Sequence, residues 1–125
     1  MEEGYLISLP YLRSLALLAD RQGQSEQTIT HLREAAELAV DLGLPEEQWQ
    51  IQARLAELYQ AASETAQARL AWAKAATIIQ GLAQGITDEA LRARFLAGPQ
   101  IQPVLQHAQR EASPVAQDHA EQRGW

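Results

Sequence analysis

A chain of 125 residues without cysteine can bury one core of ordinary domain size and can hold neither disulfides nor thiolate metal sites. Acidic side chains outnumber basic ones 16 to 10, for a net charge of −6, so phosphate backbones and anionic membranes are repelled and nucleic acid is not an expected partner. No apolar run approaches the roughly 18 residues of a membrane span, and the opening MEEGYLISLP is acidic where a secretory leader is basic; a reducing, cytoplasmic setting is the expectation.

Alanine, leucine, glutamine and glutamate dominate, which is helix composition. Ser8 is placed as the N-cap of a first helix over about 9–21, with Pro10 in the first turn, where a missing N–H costs little. Gln22-Gly23-Gln24 reads as a turn, Gly23 supplying the left-handed residue that ends a helix. A second helix over about 25–42 carries Ile29, Leu32, Ala35, Ala36 and Ala39 inward, and Gly43 stops it. Pro45-Glu46-Glu47 opens a third helix that runs to about residue 62, proline suiting the first helical position and the carboxylates the positive end of the helix dipole. Its core face carries Leu55, Ala56 and Tyr59. Trp49 lies outside that stripe and is open between core and surface.

A fourth helix is expected to start at Ser63 and to reach about residue 82, with Ala68, Trp72 and Ala75 on one face, before Gly81 and Gly85 weaken it. Thr87-Asp88-Glu89 caps a short helix with the stripe Leu91, Phe95 and Leu96, ended by Gly98-Pro99. Pro103 opens a last helix to about residue 110, with Ile101, Val104, Leu105 and Ala108 available to pack. Residues 111–125 are polar, broken by proline and without period, the pattern of a disordered tail.

Compared with itself at an offset of 40, the chain pairs Leu15 with Leu55, Ala16 with Ala56, Leu18 with Leu58, Gln27 with Gln67, Ala35 with Ala75, Ala36 with Ala76 and Leu42 with Leu82. Conservative pairs, Leu32 with Trp72 and Leu38 with Ile78, carry the register through both helices of each unit. The units are about 8–43 and 48–84. Their alternation of small residues (Ala56, Ala68, Ala75) with large rings (Tyr59, Trp72) resembles the tetratricopeptide repeat, although that repeat has a period of about 34. The resemblance implies an all-α fold, a right-handed stack of antiparallel helical hairpins. Residues 86–110 would then form a capping helix pair of the kind that solenoid ends need, the whole being one domain over 1–110. The repeat signatures together with ITDEALRARFLAGPQIQPVL at 86–105 are similar to the C-terminal repeat region of bacterial multidomain signalling proteins of the ATPase and cyclase type. This implies a non-catalytic protein-interaction or scaffolding module. The alternative is a structural dimerisation or linker segment of such a larger protein, with no ligand of its own.

No constellation of catalytic groups can be assembled from the sequence, so neither an enzyme nor a cofactor is expected. His31, His107 and His119 lack the spacing of metal ligands, and His31 is expected on an exposed helix face. The carboxylate pairs Glu2-Glu3, Glu46-Glu47 and Asp88-Glu89 sit near helix starts, where negative charge is stabilising for structural reasons. Neither the phosphate-binding GxxxxGK[ST] nor the nucleophile elbow GxSxG occurs. Some tetratricopeptide domains clamp chaperone C-termini with Lys and Asn on successive first helices; Arg13, Leu17, Ala53 and Glu57 hold the matching positions here, so that clamp is not expected.

A protein or peptide partner is expected in a groove between the first and third helices, at Arg13, Leu17, Asp20, Gln50, Arg54 and Glu57, which fall off the apolar packing faces. At 100° per residue, Tyr11, Leu12, Leu15, Ala16, Leu18 and Ala19 spread over an arc of about 160°, more than one partner helix covers. Tyr11 and Leu18 therefore mark a self-association strip, through which a homodimer forms unless an upstream domain, or residues 1–8 folding back with Tyr5, Leu6 and Ile7, covers it.

Overall fold

The structure, a computed structural model, describes residues 8–111. The expected tail after residue 111 and the cover by Tyr5, Leu6 and Ile7 lie outside the described residues. All regular structure within them is helical: α1 (Leu9–Arg21), α2 (Ser25–Leu42), α3 (Pro45–Ala61), α4 (Thr65–Gln84), α5 (Glu89–Leu96) and α6 (Gln102–Glu111). None of these helices is long and apolar enough to cross a membrane.

Local chemistry explains the helix ends. The Ser8 hydroxyl accepts from the Tyr11 N–H at 3.3 Å, and Asp88 accepts from the N–H groups of Ala90 and Leu91 at 2.9 and 3.1 Å, so both capping residues satisfy donors that the first turn leaves free. The first three helices end in one geometry, used three times. Gly23 (φ 74°), Gly43 (φ 67°) and Ser63 (φ 62°) are left-handed. Around them Gln24, Leu44 and Glu64 donate back to the carbonyls of Ala19, Ala39 and Tyr59 at 2.9, 3.0 and 2.8 Å. This is the Schellman closure, which consumes carbonyls that a helix end would otherwise strand. It also corrects the expected start of the fourth helix: Ser63 does not begin α4 but closes α3, at the position where the first repeat has Gly23.

A serine held at positive φ is strained by its Cβ, whereas at Gly23 an added Cβ would meet nothing within 4 Å, so the difference between the two sites is conformational. Ser63→Gly is expected to raise stability by about 0.5–1 kcal/mol, and Gly23→Ser to lower it by about 1 kcal/mol. Urea midpoints of the two variants, moving in opposite directions, check this.

Packing follows the 40-residue register. Each hairpin is closed by a short turn, α1 lying against α2 and α3 against α4, and the two are joined through α2 and α3. The buried set of α2 (Thr28, Leu32, Ala35, Ala36, Ala39) recurs in α4 as Ala68, Trp72, Ala75, Ala76 and Ile79, each 40 residues on. Ala35, Ala39, Ala56, Ala75 and Ile79 have no exposed surface, and the small side chains of the four alanines let the helix axes approach. The resulting core runs without a break from Leu9 to Val104.

The position of Trp49, open from the sequence, is decided by packing, and several expectations need correction. Trp49 is buried, at 4 % exposure; it is the repeat counterpart of Leu9, also buried, and heads the core stripe that continues to Ala56 and Tyr59. Thr28, not Ile29, is the fully enclosed residue of its turn, its hydroxyl being satisfied by donation to the Gln24 carbonyl at 2.9 Å. His31 is half-buried rather than exposed, with Nδ1 3.6 Å from the Glu34 carboxylate. Leu91 is 52 % exposed, and α5 buries no residue fully. Nor do α5 and α6 pack as a hairpin of the kind formed by the first four helices. It is α6 that lies along α4, through Val104 and the His107 ring with Ile101 just ahead of the helix, while α5 touches α4 more lightly and packs Phe95 and Leu96 half-buried against the core. The connection is also held by Arg92 donating to the Ile86 carbonyl (3.0 Å) and Gln102 to that of Leu96 (2.6 Å).

Trp72 is buried at 2 % exposure, as its place in the repeat requires. Its ring is covered from outside the hairpin as well: His107 of α6 stacks on it with centroids 4.2 Å apart and planes inclined by 7°.

Candidate functional site

Because α1 and α3 are the first helices of successive hairpins, their outward faces run side by side with α2 behind them. Arg13, Leu17 and Asp20 project from α1 at spacings of four and three residues, and Gln50, Arg54 and Glu57 from α3 at the same spacings, each set a single helical stripe. Between the stripes lies a groove of about 330 Å³ lined by Arg13, Leu17, Asp20, Gln50 and Arg54 from the rims. Its floor is Ala16, Thr28, Leu32 and Ile51. Five of the six residues singled out in the sequence therefore line one groove. The sixth, Glu57, stands beside it, bound to Arg54.

Arg54 ties the two rims together. Its guanidinium donates to Asp20 at 2.9 Å, across to α1, and to Glu57 at 3.0 Å along α3. All three side chains are at least 39 % exposed, and exposed pairs of this kind contribute about 0.2–1 kcal/mol; the cluster sets groove geometry and charge pattern more than stability. Gln50 is aligned by donating to Glu46 at 3.2 Å. Leu17 is 52 % exposed at the mouth, an aliphatic side chain among the polar ones of the rims. The floor residues Thr28 and Leu32 were not foreseen, since they come from the helix behind the groove and only packing brings them there. Ile51 could have been found from its spacing, one turn before Leu55 on the same face.

A second groove, not anticipated from the sequence, lies on the opposite side between α2 and α4. About 430 Å³ in volume, it is lined by Ala36, Val40, Leu70, Ala73, Lys74 and Ile78 among others, and Val40 and Leu70 stand 61 % and 62 % exposed at its edges. On the outer side of α1, Tyr11 and Leu18 are 52 % and 53 % exposed.

No protein-family model matches the chain, and no curated protein or solved structure matches it either.

Proposed function

We propose that this chain is a non-catalytic interaction module, a tetratricopeptide-like helical repeat whose α1/α3 groove receives a peptide segment of a partner protein in a cytoplasmic signalling or scaffolding assembly. The observation that carries this reading is the groove itself. Two parallel stripes of polar side chains border a floor of small and aliphatic residues, with a single exposed leucine at the mouth. Concave, mostly apolar surfaces with a few fixed polar groups are where proteins take up ligands, and the chain's net charge of −6 directs the choice toward a protein partner over nucleic acid. The chemistry asked of the peptide is one aliphatic or aromatic side chain against Leu17, flanked by polar groups able to meet Arg13, Asp20 and Gln50.

Selection of peptides from a random display library on the purified protein tests this. The enriched peptides should share one apolar anchor. Leu17→Ala should weaken them about tenfold, the scale of a modest interface anchor. Arg54→Glu, which sets three carboxylates together with Asp20 and Glu57, should abolish them. Peptides that bind both variants as well as wild type but lose affinity to Leu70→Glu would move the site to the α2/α4 groove and overturn this assignment.

A further inference from the structure

The groove of about 430 Å³ between α2 and α4 does not end at its own rim. It shares Ala36, Gln52, Leu70 and Lys74 with a neighbouring hollow of about 330 Å³, so the two form one trough. Three helices line it in step, from Arg33 to Val40 on α2, from Gln67 to Ile78 on α4 and, in the reverse direction, from Tyr59 to Gln48 on α3. By the rise of α4 the trough is about 16 Å long. Its chemistry changes along that length. One end holds Arg33, Tyr59 and Gln67, the other is walled by Val40, Ala73 and Ile78, and Leu70 and Lys74 stand where the two hollows merge. Val40 and Leu70, more than half exposed, are its apolar walls, and Ala36 is buried beneath them.

We propose that the trough binds one free acyl chain with a carboxylate head, the head between Arg33 and Lys74 and the chain lying toward Val40 and Ile78. Both cations are uncommitted: among the described residues neither joins an ion pair, whereas Arg54 is held by two carboxylates. Glu37 lines the same end and returns one negative charge, which leaves the cations in excess. That local sign is opposite to the net charge of −6, so the attraction for an anion belongs to this end of the trough and not to the chain as a whole. The two volumes lie in the range of small-molecule sites, about 300–1,000 Å³. An exposed ion pair contributes little by itself; withdrawal of the chain from water supplies most of the affinity, and the cations fix its direction. The net negative charge also repels the protein from an anionic bilayer, which favours the free acid over a membrane lipid as the ligand. No residue is common to this trough and the α1/α3 groove, so either site can exist without the other.

Titration calorimetry of the full chain with monomeric dodecanoate tests this, with dodecyltrimethylammonium as the same chain under a cationic head. Dodecanoate should bind saturably at one site per chain, and the cationic amphiphile about tenfold more weakly or not at all. Lys74→Glu, which turns an attraction for the head into a repulsion, should weaken dodecanoate about tenfold. Val40→Glu, which places a charge on the apolar wall, should weaken it at least as much. Both side chains are exposed, so urea midpoints close to that of the wild type will show that the variants are folded. Leu17→Ala in the other groove should change nothing. Absence of saturable binding below the onset of micelles overturns the proposal, as does equal affinity for the two amphiphiles. Affinity that survives both Lys74→Glu and Val40→Glu, or that falls with Leu17→Ala, places the ligand elsewhere and overturns it too. If dodecanoate fails while helical peptides from the display library are lost on Leu70→Glu, the trough belongs to a partner helix; if a dimer seen by light scattering is dispersed by Leu70→Glu, it belongs to a second copy.

Discussion

Replacing Trp72 by alanine is expected to lower stability by about 3–5 kcal/mol, the range for truncating a large aromatic in a closed core, and so to remove a large share of the roughly 5–15 kcal/mol that holds a domain folded. The ring fills the space beside Ala68 and Ala75, is 2 % exposed, and forms a stack with His107. Its removal leaves a cavity on the α4 side of the core and takes from α6 the surface on which it rests. Trp72→Phe keeps an aromatic ring in the core and discards only part of the volume, so it should cost less than Trp72→Ala. His107→Ala removes only the stacking partner and should cost about 0.5–1.5 kcal/mol. Urea melts followed by circular dichroism measure all three; a Trp72→Ala loss below about 1 kcal/mol would contradict the packing described.

Ala75→Leu should be damaging for the opposite reason. Ala75 has no exposed surface and belongs to the ladder along which α4 meets its neighbours, so three additional carbon atoms have nowhere to go without separating helices. A loss of about 1–3 kcal/mol is expected, as for overpacking generally. Ala73→Leu on the same helix is the control: Ala73 is exposed at the edge of the α2/α4 groove, and the same enlargement there should be close to neutral. Equal effects at the two positions would mean that helix propensity, not close approach, governs the response.

Much of this architecture was legible in advance because the signals were local or periodic. A glycine that must adopt positive φ, a serine or aspartate that caps, and a proline in a first turn each act within four residues of themselves. The 40-residue self-similarity carried the core through both hairpins. It also contained the answer for Trp49, counterpart of the buried Leu9, and for Ser63, counterpart of Gly23, had it been applied outside the aligned signature. The failures share a cause. Of the stripe Leu91, Phe95 and Leu96, the last two pack half-buried against the core while Leu91 stays exposed, and the neighbour that α6 takes is set by the surface left open on α4, not by its own pattern.

For the candidate site, the helical stripes of Arg13, Leu17 and Asp20 and of Gln50, Arg54 and Glu57 follow from spacing alone. That the stripes face one another, that Arg54 bridges to Asp20 at 2.9 Å, and that Thr28 and Leu32 form the floor depend on how two hairpins stack.

The sequence by itself determined the helices, their ends and their repetition, because backbone hydrogen bonding, capping and amphipathic period are properties of residues close together in the chain. Only the tertiary structure decided which surfaces are shared. It placed α6 on Trp72, opened grooves between α1 and α3 and between α2 and α4, and covered Ile51 while leaving Tyr11 exposed. Apolar residues at positions 40 residues apart meet different neighbours, and burial is a property of the neighbour as much as of the residue.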